Sequence, residues 1–231
     1  MKEAQQKAAI LAFVGDPRRE VRRKGALLGR ASRTNERIWR RLNTRLRAVL
    51  GRTGLPVIWL DELQQQGATF GQRLTNGMAM AFAQGYTSLL VVGNDCPQLQ
   101  SHHLQRAAAA LQVAPWVLGP DQRGGAYLIG VRREAFAPVA WLGLPWQTDG
   151  LLDALLGLAE EGETVLLPAE SDLNAAADLL RLFPRLSPAH ILKRLLGPDL
   201  LAPRPGRPLG VFRPHFRSRS GLSWRGPPAV A

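Results

Sequence analysis

Short runs of consecutive apolar residues alternate along this chain with stretches whose apolar residues recur every three or four positions. Residues 8–15 (AAILAFVG), 56–60 (PVIWL), 89–92 (LLVV), 116–119, 126–131 (AYLIGV) and 164–167 are brief, apolar and bounded by turn residues. They predict strands, and residues 89–92 a central one. Residues 34–50 place Ile38, Leu42, Leu46 and Val49 at helical spacing, and residues 70–85 do the same with Phe70, Leu74, Met78, Ala81 and Phe82. Further helices are predicted over an alanine-rich stretch at 101–113, with Ser101 as its cap, over about 149–158, and over a stretch containing Asp178. Strands that alternate with helices predict an α/β domain with a mainly parallel sheet.

The sharpest change of character falls at SLLVVGNDCP, residues 88–97, where a buried-looking strand runs straight into a polar turn. Ligands of open α/β sheets bind beyond the carboxyl ends of the strands, so Asp95 is the first functional candidate, for a cation or a phosphorylated ligand. The same residue would serve equally as an Asx turn leading to the helix after Ser101. Cys96 has no second cysteine or spaced histidine beside it and reads as a small turn residue. His102 and His103 are adjacent and therefore do not share a helix face, which argues against a paired metal site.

Charge adds a second picture. The 231 residues carry a net charge of +12, unevenly spread. Residues 1–52 hold 15 Lys or Arg against 4 acids, residues 53–200 hold 9 against 14, and residues 201–231 hold 6 against none. The first strand is followed by DPRREVRRKGALLG, read as a basic loop in which Arg22, Arg23 and Lys24 could cradle phosphate; a solvated basic turn is the alternative. It has neither the paired glycines of a dinucleotide fingerprint nor the G-K-[ST] of a P-loop. Arg73, near the start of its helix, could reach an anionic ligand, although a surface arginine is the simpler reading. Gly124 and Gly125 either let backbone approach a ligand or make a tight turn. The arginines around the 34–50 helix could meet nucleic acid or a membrane surface, or be solvated.

One domain over residues 1–200 is expected, followed by a flexible basic tail over 201–231, dense in Pro, Gly and Arg, whose Phe212, Phe216 and Trp224 could stack on single-stranded nucleic acid. No apolar run approaches the roughly 20 residues of a membrane span, and the lone cysteine suits a reducing cytoplasm.

Five pieces carry a resemblance: GATFGQRL (67–74), VVGNDCPQL (91–99), GPDQRGGAYLIG (119–130), PWQT (145–148) and DLNAAADLL (172–180). In this order they resemble DUF2064, a family of bacterial proteins in the glycosyltransferase-A-like, or nucleotide-diphospho-sugar transferase, superfamily. The resemblance implies a three-layer α/β sandwich with a mixed, mainly parallel sheet. It also implies transfer of a glycosyl or nucleotidyl group from a nucleotide or nucleotide sugar to an unknown acceptor. Asp95 is similar in position to the family's metal-holding aspartate, and Asn174, with Asp172 two residues before it, to the second ligand; Mg²⁺ or Mn²⁺ is the cofactor implied.

The chain departs from the family pattern in three places. Its first loop lacks P-x-P-G-x-x-K-T-R-L, Arg123 and Ala126 replace an acid and an aromatic, and Ala175 and Ala176 replace Thr-Pro. These departures raise the alternative of a pseudoenzyme that binds nucleotide without turnover, with Arg123 pairing Asp95 in the cation's place. A basic protein that binds nucleic acid or anionic surfaces is the third reading.

Overall fold

The computed structural model describes residues 7–24, 27 and 32–201. The chain divides into two units, Met1–Gly197 and Pro198–Ala231, and the sheet lies in the first. The predicted tail, with Phe212, Phe216 and Trp224, lies outside the described residues beyond Leu201.

In chain order the elements are β1 (Ala8–Val14), α1 (Pro17–Lys24), α2 (Ser32–Leu50), β2 (Val57–Asp61), α3 (Phe70–Ala83), β3 (Ser88–Val92), α4 (Ser101–Ala110), β4 (Trp116–Pro120), β5 (Ala126–Arg132), α5 (Pro138–Leu142), α6 (Leu151–Leu156), β6 (Thr164–Leu166), α7 (Ala176–Leu182) and α8 (Ile191–Leu201). The six strands form one sheet in the order β2-β1-β3-β5-β4-β6. Only β5 runs against its neighbours β3 and β4; the other pairings are parallel. The expected mixed, mainly parallel sheet is therefore present.

The continuous apolar runs arise because the inner strands are covered on both faces. Ala9 and Leu11 of β1, Leu89 and Val91 of β3, and Trp116 and Leu118 of β4 pack with Leu74, Met78 and Phe82 of α3, Trp141 of α5 and Leu151 and Leu155 of α6. The alternate residues, among them Ile10, Ala12, Leu90, Val92 and Val117, pack with Leu46, Val49 and Leu50 of α2 and Leu104 and Ala107 of α4. Helix, sheet and helix make the three layers. No helix among the described residues is long and apolar enough to cross a membrane.

Two expectations change. The basic stretch after β1 is a helix, α1, over most of its described part, because Asp16 caps it: its carboxylate accepts from the Arg18 and Arg19 N–H groups. Residues 25–26 and 28–31 of that stretch lie outside the described residues. Helix α4 is capped not by Ser101 but around Gln100, whose N–H donates to Nδ1 of His103 at 3.2 Å.

That bond requires a neutral imidazole. Burial, then the charges of His102, Arg106 and Arg45, pushes the His103 pKa from 6.5 down to about 4, although Glu170 lies 3.8 Å from Nε2. The unfolded chain therefore takes up this proton before the folded one, and stability is lost as pH falls from about 6.5 towards 4. Urea midpoints measured across that range should fall more steeply for the wild type than for His103→Gln, and the two should run parallel above pH 7.

Candidate functional site

A cleft of about 650 Å³ opens at the carboxyl ends of β1, β3 and β4. Among the carboxylates that line it, Asp95 follows β3, Asp121 follows β4 and Asp172 lies beyond β6. The backbone ties these segments together. Leu173 N donates to Asp95 O at 2.7 Å, and Asp172 N approaches Asp121 Oδ1 at 3.4 Å.

The cation that meets them belongs to the protein. Lys24, the last residue of α1, places Nζ 2.6 Å from Asp95 Oδ2. Burial works against its charge, but Asp95, Glu20 and Asp172 outweigh it and hold Lys24 above the usual lysine range. Nζ also lies 5.1 Å from the ring centre of the fully buried Trp39. Asp172 is placed differently. Burial, then repulsion from Asp95 and Asp121, pushes its carboxyl well above the usual aspartate range, with Lys24 opposing. Its Oδ1 is buried and has no hydrogen-bond partner. Burial likewise raises Glu20 against the pull of Lys24 and Arg23.

The other wall is aromatic. Phe13, Phe70 and Trp146 line the cleft, with Phe13 edge-on to Phe70 at 5.4 Å and Phe70 against Trp146 at 5.6 Å. Trp146 is fixed from behind, since its Nε1 donates to Trp141 O at 2.8 Å and its ring sits where a side chain on Gly71 would stand. Gln147, next to it on the cleft, holds φ at 65°.

The candidates from sequence divide accordingly. Asp95, Asp172, Asn174, Arg23, Lys24 and Gly125 line one cleft. Arg22 and Arg73 are not among its lining residues, and neither is Gly124. Arg23 is engaged, at 3.0 Å from Glu20 and 2.8 Å from Glu62. Gly124 has φ 82°, and a Cβ there would stand 1.9 Å from the Asp149 carbonyl oxygen, so the space it opens is filled by the protein's own backbone.

Arg123, considered as a partner for Asp95, pairs instead with the buried Asp178. Asp178 also takes Arg181 at 2.7 Å and the N–H groups of Asn174 and Ala175 at 3.0 and 2.8 Å, which secures the start of α7. Asp121, Glu20 and the aromatic wall were not nominated from sequence. The strand-end rule that selects Asp95 on β3 applies equally to Asp121 on β4.

Mg²⁺ and Mn²⁺ take hard oxygen ligands, and Asp95, Asp172 and Asn174 offer them. As arranged they do not form a cage. Among the described residues no three His, Cys, Asp or Glu are grouped to hold a metal ion, and the Asp95 oxygen is spent on Lys24.

Comparison with known proteins agrees with this architecture. Residues 48–146 match the family model described as an uncharacterized protein conserved in bacteria, DUF2064. The resemblance to DUF2064 therefore holds, over a segment that carries Asp95, Asp121 and Arg123 but neither Lys24 nor Asp172. A crystal structure from Desulfovibrio desulfuricans G20, assigned as a nucleotide-diphospho-sugar transferase, is similar with a TM-score of 0.72 and 23% identity, over 84% of this chain and 96% of that one. The fold is thus that of the nucleotide-diphospho-sugar transferases. Rv0371c from Mycobacterium tuberculosis H37Rv, in complex with manganese, is more distant, with a TM-score of 0.43 and 13% identity over 78% of this chain and 100% of that one. No curated protein matches.

The two glycines are predicted to behave differently. Gly124→Ala should cost about 1–3 kcal/mol, from positive φ and the clash with Asp149, whereas Gly125→Ala, whose Cβ would meet only Asp121 at ordinary contact distance, should change stability by no more than about 1 kcal/mol. Urea denaturation of the two variants measures the contrast.

Proposed function

We propose that the protein binds a nucleotide or nucleotide sugar in this cleft and transfers its glycosyl or nucleotidyl group to an acceptor. The observation that carries the reading is the position of the cleft: an aromatic wall and a charged floor meet at the carboxyl ends of β1, β3 and β4 in a nucleotide-diphospho-sugar transferase fold.

Each part has a chemical role under this reading. Phe13, Phe70 and Trp146 offer flat apolar surface for a base or sugar ring. Lys24, Arg23 and Arg123 are the cations that line the cleft, and an ammonium has three donors, of which Asp95 uses one. Nucleotidyl transfer needs little more than positioning and charge stabilisation at phosphorus. Glycosyl transfer to a hydroxyl also needs a proton acceptor, a role we assign to Asp172, which lines the cleft and whose carboxyl burial pushes upward. The alternative of a pseudoenzyme loses one of its supports, since Arg123 is committed to Asp178 rather than to Asp95.

Calorimetry of the full chain with nucleoside diphosphates, nucleoside triphosphates and nucleotide sugars, in chelator and again with Mg²⁺ or Mn²⁺, tests the proposal. At least one of these ligands should bind, and in chelator Lys24→Ala should weaken it by about 1.5–3 kcal/mol, the worth of a charge-assisted hydrogen bond. Absence of binding across the panel in both conditions would sink it.

A further inference from the structure

The carboxylate turn that the fold would use for a divalent cation already holds a positive charge, and that charge is covalently attached. Lys24 is not a stray surface side chain: its side chain is 19% exposed, paired with Asp95 and 5.1 Å from the Trp39 ring centre, and the charges of Glu20 and Asp172 also favour its ammonium. It is also the last residue of α1, where the carbonyl end of a helix favours a cation. Asp95 Oδ1 folds back over Gly93, within 2.6 Å of where a Cβ would stand there. Oδ2 is the oxygen bonded to Lys24.

We propose that Lys24 is a tethered cation that stands in the place of a divalent metal at Asp95. Mg²⁺ binds a carboxylate oxygen at about 2.0–2.1 Å. An ion that close to Oδ2 would have to displace an ammonium lying 2.6 Å from the same oxygen. The two positive charges would also repel each other at short range in a partly buried site. A metal can therefore bind Oδ2 only by driving Lys24 out, away from its ion pair with Asp95 and from the Trp39 ring. The ammonium retains donors with which to bridge Asp95 to a ligand oxygen, the geometric service a metal would otherwise perform. Its lower charge leaves the cleft less able to neutralise a polyphosphate. The bridging role rests on the proposed function; the exclusion of metal does not, because it requires no nucleotide.

The test uses the full chain without nucleotide and reads Mn²⁺ binding directly, from loss of the free-ion electron paramagnetic resonance signal and by calorimetry. Wild type and Lys24→Arg should bind Mn²⁺ weakly. Lys24→Met and Lys24→Gln should gain a single site at least about tenfold tighter, and adding Asp95→Asn to either should remove the gain. Thermal unfolding confirms that each variant is folded, and the paired Met and Gln replacements keep the result readable if one is not. Equal affinity in wild type and the folded neutral variants, whether tight or absent in all, overturns the proposal, as does a gain that survives Asp95→Asn. A nucleotide panel without binders would leave this readout intact, so failure of the transferase reading and failure of the tethered cation are distinguishable.

Discussion

A sheet covered on both faces leaves charge only one place to go along its inner strands, which is their ends. β1, β3, β4 and β5 have almost wholly buried middles, and an unpaired charge set among those residues would carry a large desolvation cost. The chain obeys this limit. Asp95, Asp121 and Asp172 all follow strands, as does α1 with Glu20 and Lys24, so double-sided burial itself gathers the ionisable groups at one edge. The cleft is a consequence of the packing as much as of any particular motif.

Concentrating carboxylates in this way creates a debt of positive charge, and three cations answer it. Lys24 meets Asp95, Arg23 bridges Glu20 and Glu62, and Arg123 reaches Asp178. Asp172 and Glu20 are answered incompletely: each keeps one buried oxygen without a hydrogen-bond partner, and burial pushes both carboxyls upward.

Much of this was legible in the sequence, and the reason is periodicity. Runs such as 89–92, too short for a helix and ended by Gly93, fit inner strands, and the 34–50 and 70–85 stretches have apolar faces at helical spacing. The strand-end rule points to Asp95, which lines the cleft. Pairings across the chain were not legible. Nothing local says that Lys24 meets Asp95, 71 positions away, or that Arg123 prefers Asp178 to Asp95. Helix α1 was hidden because its composition is almost wholly charged, with no apolar stripe to reveal the period, and Trp146 was hidden because its neighbours Trp141 and Phe70 come from separate helices.

The basic character of the N-terminal region also looks different once partners are assigned. Arg40 and Arg18 share Glu36, Arg19 and Arg23 share Glu62, Arg45 donates to Leu99 O at 2.6 Å, and Arg47 lies flat on Trp59 at 3.6 Å. These arginines hold α1 and α2 to each other and to the sheet. Charge counted along the sequence therefore overstates what the described surface can offer a polyanion, because an arginine that bridges elements must break an existing contact before it can neutralise a phosphate. Lys24 is the extreme case of the same arrangement. The residue read as a phosphate ligand from its neighbours in sequence is, in space, first a ligand of Asp95, and any anion entering the cleft must share it.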